Sequence, residues 1–222
     1  LNGYGVNLGK KIVIFTNNDS AYQTAIDCYY QNINVVAVID VRNNLEGELP
    51  LKVKKLGIKI YTASIISNTS GRKKLKNVQI KKINQKYTEI VNCDLLCISG
   101  GWSPTVHLFT QSRGKLKFRD EDSCFIPHQA HQKTLSIGSC NGVFDLKNIL
   151  NETYNSVNNF LNTNDKNSLD GQVYNAELNK TGKQENAWLI DKENISKSKM
   201  FVDFQNDVTA KDIKIALSEG FK

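Results

Sequence analysis

The feature that most constrains this chain is a strand–helix–strand pattern near its start. Residues 11–16, Lys-Ile-Val-Ile-Phe-Thr, form an apolar run that predicts a short buried strand. Polar residues 17–20 then offer helix caps, and residues 21–31 place small apolar side chains on one helical face. A second apolar strand, residues 35–39, ends at Asp40. This βαβ unit predicts an α/β fold with a doubly wound, Rossmann-like sheet.

The chain continues as alternating strands and helices up to residue 161. The pattern predicts helices over residues 51–56 and 143–161, and strands over residues 58–61, 78–83, 94–98, 115–118, 124–126 and 134–137. Residues 162–198 are polar, and they predict either a linker or an extended arm that packs on a neighbouring part. Beyond residue 199 a new element begins, and Thr209 to Asp212 is typical of a capping box that starts a helix through Gly220.

The charge pattern argues against several classes of partner. The net charge is +7, but the lysines are dispersed among Asn and Ile, and the most basic stretch, residues 71–84, has no interleaved aromatics for base stacking. No apolar run approaches the roughly 18 residues that cross a bilayer. We therefore expect neither a nucleic acid nor a membrane partner. The first residue is Leu1, which indicates that the start of the gene lies upstream. No secretory leader opens the chain, so a cytoplasmic location is expected.

Two groups of potential metal or redox residues are weak signals. Cys93 and Cys97 are four residues apart, so in a strand they point to the same face. They are interpreted as a metal or redox pair, or as small apolar residues of a reduced core, and the second is favoured. His128 and His131 form an isolated His-x-x-His, for which a surface loop is favoured over a zinc site. No catalytic constellation and no metal site is predicted.

The turn after the first strand lies where a dinucleotide-binding protein carries GxGxxG. The three glycine positions hold Thr16, Asn18 and Ala21. Side chains at the first two positions obstruct the approach of a pyrophosphate, and Asp19 adds a negative charge where a phosphate would sit. The sequence thus predicts a dinucleotide fold without a working site at this turn. Asp40 is interpreted either as a ribose ligand or as the ion-pair partner of Arg42.

The second candidate is the turn from Gly138 to Asp145. It follows an expected strand and opens a helix, so its backbone N–H groups could meet an anionic cofactor. The alternative is an ordinary strand-to-helix turn in which Asp145 stabilises the helix N-terminus. The spacing alone does not separate these two interpretations.

Four blocks of sequence resemble the alpha subunits of heterotetrameric sarcosine oxidases. The longest are Cys93 to Phe109, CDLLCISGGWSPTVHLF, and Phe201 to Ile213, FVDFQNDVTAKDI. Tyr4 to Val6 and Val13 to Tyr22 add to them. The resemblance covers nearly the whole chain and is weakest over residues 162–198.

The resemblance implies a function in the oxidative demethylation of sarcosine. The family gives glycine and hydrogen peroxide with formaldehyde, or with methylenetetrahydrofolate when folate is present. It works as a complex of alpha, beta, gamma and delta subunits that carries FAD, FMN and NAD, and sarcosine is oxidised on the beta subunit. The resemblance implies that this part of the alpha subunit has no catalytic residue of its own, and that it contributes NAD binding and scaffolding.

The resemblance also implies a division of the chain. Residues 1–110 correspond to the second, degenerate dinucleotide-type domain, in the manner of flavin disulfide reductases. Residues 111–161 correspond to the return of the chain into the first FAD/NAD-binding domain, and residues 162–198 to a linker. Residues 199–222 correspond to the start of an aminomethyltransferase-like, folate-binding domain. Family NAD contacts fall on Gly138, Val143 and Asp145.

Two other functions remain open from the sequence. The first is an alpha subunit of a related amine, opine or proline dehydrogenase, in which the block from Phe201 to Ile213 is not expected. The second is a non-catalytic dinucleotide fold that acts as an assembly module.

Overall fold

The first βαβ unit forms as the sequence predicts. The structure, a computed structural model, describes residues 4–5, 9–85, 88–161, 184–185 and 200–221. Within these residues the strands and helices, in chain order, are β1 (Lys11–Thr16), α1 (Ser20–Tyr30), β2 (Asn34–Asp40), α2 (Glu48–Lys55), β3 (Lys59–Tyr61), β4 (Ser64–Ser70), β5 (Asn77–Lys82), β6 (Thr88–Asn92), β7 (Leu95–Ser99), α3 (His107–Gln111), β8 (Lys115–Arg119), β9 (Cys124–Gln129), α4 (Leu146–Leu161), β10 (Phe201–Asp203), β11 (Val208–Thr209) and α5 (Ala210–Ser218).

A parallel sheet of four strands is the centre of the fold. Its order is β3-β2-β1-β7, and each neighbouring pair is parallel. This order places β2 and β7 on opposite sides of β1, so the chain reverses its direction of winding beside β1. A crevice therefore opens at the carboxyl ends of β1 and β7, which is where ligands bind in sheets of this kind.

Two hydrophobic clusters cover the two faces of this sheet. On one face, Ile12 and Ile14 of β1 pack against α1 and α2 in the cluster that includes Tyr22, Ala25 and Val53. On the other face, Val13 packs in a second cluster against the antiparallel sheet β4-β5-β6. The fold therefore has three layers, and alternate side chains of β1 supply both interfaces.

The stretch after β7 forms a hairpin, a turn and a helix. Strands β8 and β9 pair antiparallel, and the rings of Phe118 and Phe125 meet edge to face at 5.2 Å. A short 3-10 turn, Gly138–Asn141, leads into α4. Helix α4 leaves large apolar side chains exposed: Leu146, Val157, Phe160 and Leu161.

Residues 200–221 contain the predicted capping box. The Thr209 hydroxyl accepts from the backbone N–H of Asp212 at 3.4 Å, and the Asp212 carboxylate accepts from the backbone N–H of Thr209 at 2.8 Å. These bonds satisfy backbone donors at the start of α5. The short strands β10 and β11 pair antiparallel just before the helix.

Several sequence expectations are corrected by the structure. Residues 134–137 are not a strand, because no strand among the described residues pairs with them, and Leu135 is 60% exposed. Helix α4 begins at Leu146, three residues later than expected, because Asp145 caps it. Strands β4 and β6 were not predicted. The expected linker, residues 162–198, lies outside the described residues except for Gln184 and Glu185.

Cys93 and Cys97 do not share a face. Cys93 lies before β7 and packs in the cluster of Val13, whereas Cys97 packs on the opposite face beside Ile14. The alternation is broken by Asp94, whose carboxylate accepts the backbone N–H groups of Lys10 and Lys11 at 2.9 and 2.7 Å and turns the chain there.

The interface between β5 and the parallel sheet can be tested by mutation. Ile80 is 3% exposed, so Ile80→Ala is expected to lower the free energy of unfolding by about 2–5 kcal/mol through lost burial and a cavity. Ile90 on β6 is 65% exposed, so Ile90→Ala is expected to change it by less than about 0.5 kcal/mol. Urea unfolding followed by circular dichroism measures both. Equal losses for the two variants would contradict the packing of β5 on the parallel sheet.

Candidate functional site

The crevice beside β1 is bridged by side-chain amides. The Asn17 amide Nδ2 donates to the Gly100 carbonyl at 3.2 Å, and the Asn18 amide Nδ2 donates to the Ser99 hydroxyl at 3.1 Å. Thr16 closes the turn itself, since its hydroxyl donates to the Asn18 carbonyl at 3.0 Å. The residues at the first two glycine positions thus fill the space that a pyrophosphate occupies in a dinucleotide-binding turn.

A buried guanidinium holds the same edge of the sheet. Arg42 is 1% exposed, and its Nη2 lies 2.7 Å from Asp19 Oδ1 and 2.8 Å from Asp40 Oδ2. Its Nε donates to Asp40 Oδ1 at 3.1 Å, and the Tyr22 hydroxyl donates to Asp40 Oδ2 at 2.8 Å. Asp40 is therefore the ion-pair partner of Arg42, which is the second of the two interpretations of this residue.

The electrostatics of this cluster raise the pKa values of Tyr22 and Arg42. Burial and the adjacent Asp40 carboxylate raise the pKa of Tyr22 far above its usual value, so the phenol stays a hydrogen-bond donor. Burial alone lowers the pKa of Arg42, but the hydrogen bonds and charges of Asp40 and Asp19 outweigh it and raise that pKa overall. Asp40 accepts from two side chains and from the Arg42 backbone N–H at 2.9 Å.

The second candidate turn brings the predicted residues together. Gly138 and Gly142 both have left-handed backbones, with φ of +74° and +77°. The Val143 backbone N–H donates to the Gly138 carbonyl at 3.1 Å, which closes the turn. Asp145 Oδ1 accepts from the Asn148 backbone N–H at 2.9 Å, so Asp145 is the N-cap of α4. Gly138, Val143 and Asp145 thus belong to one structured turn at a helix N-terminus.

Two charged residues that the sequence analysis missed hold this turn from opposite sides. Arg119 at the end of β8 pairs with Asp122 and donates from Nη2 to the Gly142 carbonyl at 2.9 Å. Glycine is favoured at position 142 because its backbone is left-handed and a Cβ there would displace the Arg119 guanidinium. Glu152 of α4 accepts from the Gly138 N–H at 3.3 Å and from the Asn141 amide at 3.1 Å.

The described residues contain no cluster of three or more His, Cys, Asp or Glu side chains suited to a metal ion. His128 and His131 are both exposed. No described helix is long and apolar enough to span a bilayer.

The fold is shared with a flavoprotein reductase. The structure is similar to that of the HOCl-induced flavoprotein disulfide reductase RclA from Escherichia coli, with a TM-score of 0.51 and 12% identity. The match covers 71% of this chain and 37% of that chain. The chain therefore has the Rossmann-like α/β fold of the FAD/NAD(P)-binding flavin disulfide reductases.

The sequence comparisons give more specific relatives than the fold comparison. The chain is 29% identical over 232 residues to the sarcosine oxidase subunit alpha of Corynebacterium sp. (strain P-1), covering 100% of this chain and 24% of that protein. It is 31% identical over 156 residues to the same subunit of Corynebacterium sp. (strain U-96), covering 68% of this chain and 16% of that protein. Residues 197–222 match the family described as the sarcosine oxidase A3 domain.

These matches confirm the resemblance that the sequence motifs indicated. The chain is a relative of the sarcosine oxidase alpha subunits, and it spans 24% of the length of the first of these curated relatives.

The Arg42 cluster gives a stability test. Arg42→Met leaves the Asp19 and Asp40 carboxylates buried without their cation, so we expect a loss of about 3–5 kcal/mol in the free energy of unfolding. Lys59→Met is the control, because Lys59 is 59% exposed and its pair with Glu89 contributes no more than about 1 kcal/mol. Chemical unfolding of both variants measures the difference. A loss of under about 1 kcal/mol for Arg42→Met would contradict the role of the cluster.

The thiols give a second test. Burial raises the pKa of Cys28, Cys93 and Cys124, and the thiolate is the reactive form. In the native protein at pH 8 we expect these thiols to react with iodoacetamide about tenfold or more slowly than in urea. Mass spectrometry of tryptic peptides gives the rate at each site. A disulfide between Cys93 and Cys97 would contradict this result and support a redox pair.

Proposed function

We propose that this chain acts as part of a sarcosine oxidase alpha subunit. The complex would oxidatively demethylate sarcosine to glycine, with hydrogen peroxide and formaldehyde or methylenetetrahydrofolate as the other products. Similarity to two curated alpha subunits, one of them along the whole chain, supports this proposal. The segment would contribute NAD binding and scaffolding, with no catalytic residue of its own.

The observation that carries the NAD part is the difference between the two candidate turns. At the β1 turn, Thr16 and Asn18 fill the space beside the strand. At the second turn, Gly138 and Gly142 add no side chains of their own, and the N-terminus of the 16-residue helix α4 favours negative charge nearby. The second turn therefore suits an anionic dinucleotide better than the first.

The proposed roles follow from the chemistry of each residue. Gly138 would hold the left-handed turn that presents the N-terminus of α4 to the nucleotide, and Val143 would provide an apolar contact. Asp145 carries a carboxylate, which accepts hydrogen bonds and suits ribose hydroxyls better than phosphates. When bound, NAD supplies a nicotinamide that can exchange a hydride, and the chain's own residues bind and orient it.

The partners and remaining cofactors belong to the same proposal. We propose that the chain assembles with beta, gamma and delta subunits, and that FAD, FMN and tetrahydrofolate bind in the full complex. The exposed apolar side chains of α4 and α5, among them Phe160 and Leu217, are consistent with burial against further protein.

Recovery of the native polypeptide tests the assembly. Affinity capture from the source cells, with intact mass spectrometry and cofactor extraction, is expected to yield a chain much larger than 25.0 kDa with three partners, flavin and NAD. A free chain of 25.0 kDa without partners or nucleotide would contradict the proposal.

A matched pair of glycine variants tests the NAD site. Gly138→Ala places a Cβ 3.2 Å from Ile149 Cγ2 on a left-handed backbone, so we expect it to distort the turn and weaken NAD binding about tenfold or more. Gly57→Ala is the control, because Gly57 has a similar φ of +78° but open space around it. Calorimetric titration of the purified assembly with NAD measures both affinities. Equal affinities for the two variants would place NAD elsewhere.

A further inference from the structure

Residues 184 and 185 lie on the crevice at the carboxyl ends of β1 and β7, more than eighty residues along the chain from the nearer edge of that crevice. The Glu185 backbone N–H donates to the Asn17 carbonyl at 3.4 Å. The Gln184 side-chain amide lies directly against Gly101. One residue of this pair thus contacts the turn after β1, and the other contacts the loop after β7.

The absence of a side chain at Gly101 leaves room for this contact. Gly101 has φ of +99°, and a Cβ there would overlap the carbon, oxygen and nitrogen of the Gln184 amide. The neighbouring Gly100 would accept a Cβ without meeting any atom within 4 Å. The backbone after β7 therefore leaves room specifically where Gln184 lies.

The remaining space at this edge is also occupied. The indole Nε1 of Trp102 donates to the Ser20 hydroxyl at 3.2 Å, which brings the loop after β7 over the start of α1. Asn17 reaches from the other side to the Gly100 carbonyl. The phosphate-binding position of a dinucleotide fold is thus covered by side chains of the domain and by residues 184–185.

We propose that the β1–β7 crevice is a docking groove for the chain's own segment around Gln184 and Glu185. The groove recognises an extended peptide through the Asn17 carbonyl and through the space above Gly101. It holds Gln184 and Glu185 in the position that a dinucleotide takes in related folds. This inference is independent of the proposed NAD function.

Limited proteolysis of the full chain tests the docking. Trypsin can cut the bond between Lys183 and Gln184, and a docked segment is cleaved at a rate proportional to the population of its released form. We expect this bond to be cut about tenfold or more slowly in the native protein than in a synthetic peptide of the same sequence. Mass spectrometry follows this one bond among the other cleavage sites.

Two pairs of variants separate docking from general stability. Glu185→Pro removes the donated N–H, whereas Glu185→Ala keeps it. Gly101→Ala fills the space of Gln184, whereas Gly100→Ala enters open space. We expect Glu185→Pro and Gly101→Ala to raise the cleavage rate about tenfold towards that of the peptide, and their partners to leave it unchanged.

The outcomes that overturn the proposal are specific. Wild-type cleavage as fast as that of the peptide would show that the segment is not docked. A wild-type cleavage rate in either Glu185→Pro or Gly101→Ala would show that the named contacts do not hold it. Thermal unfolding of each variant checks that the domain itself is intact. If Gly101→Ala fails to fold, Glu185→Pro still tests the docking, because it changes no residue of the crevice.

Discussion

The contact between Arg42 and two buried carboxylates fixes the arrangement on which the rest of this domain depends. The guanidinium joins Asp19, at the start of α1, to Asp40, at the end of β2. The helix and the strand are therefore tied at the same edge of the sheet, and the turn between β1 and α1 cannot open without exposing a buried charge. Dinucleotide-binding members of this fold class use an acidic residue at this strand end to hold the ribose, whereas here Asp40 binds Arg42.

The two candidate turns differ in which groups contact their backbone. At the β1 edge, polar side chains form hydrogen bonds with each other and with the loop after β7, so the groups that would bind a ligand are already satisfied. At the turn from Gly138 to Asp145, the backbone of the glycines is contacted by side chains from outside the turn. Arg119 donates to the Gly142 carbonyl and Glu152 accepts from the Gly138 N–H, while the glycines add no side chains of their own.

Elements that depend on local pattern were predictable from the sequence, and elements that depend on distant partners were not. Strands β1 and β2 are continuous apolar runs, and the Thr209 capping box is a local motif, so both could be identified. Strand β4, Ser64–Ser70, is mostly polar and exists because β5 pairs with it. Residues 134–137 show the converse, since an apolar pattern without a neighbouring strand stays irregular.

The site residues follow the same division. The loss of the glycines at Thr16 and Asn18 could be read directly, and the pairing of Asp40 with Arg42 was one of two stated interpretations. The ion pair of Asp19 with Arg42 and the hydrogen bonds of Arg119 and Glu152 to the second turn required the tertiary structure. The partners in these three contacts are 23, 23 and 14 residues apart, respectively. No local sequence motif predicts that Gln184 and Glu185 contact the crevice.

The three-layer arrangement also has a consequence for how the sequence of β1 can vary during evolution. Ile12 and Ile14 face the helices, whereas Val13 and the half-buried Phe15 face the antiparallel sheet. A substitution in β1 that alters the strand's position is therefore felt in both cores at once, and no single compensating change on one side can accommodate it. Strands β2, β3 and β7 also contribute to both clusters, whereas the helices α1 and α2 and the antiparallel strands border one core each and can drift more independently. Among divergent descendants of this domain, the parallel sheet should change most slowly, with the outer layers adapting around it.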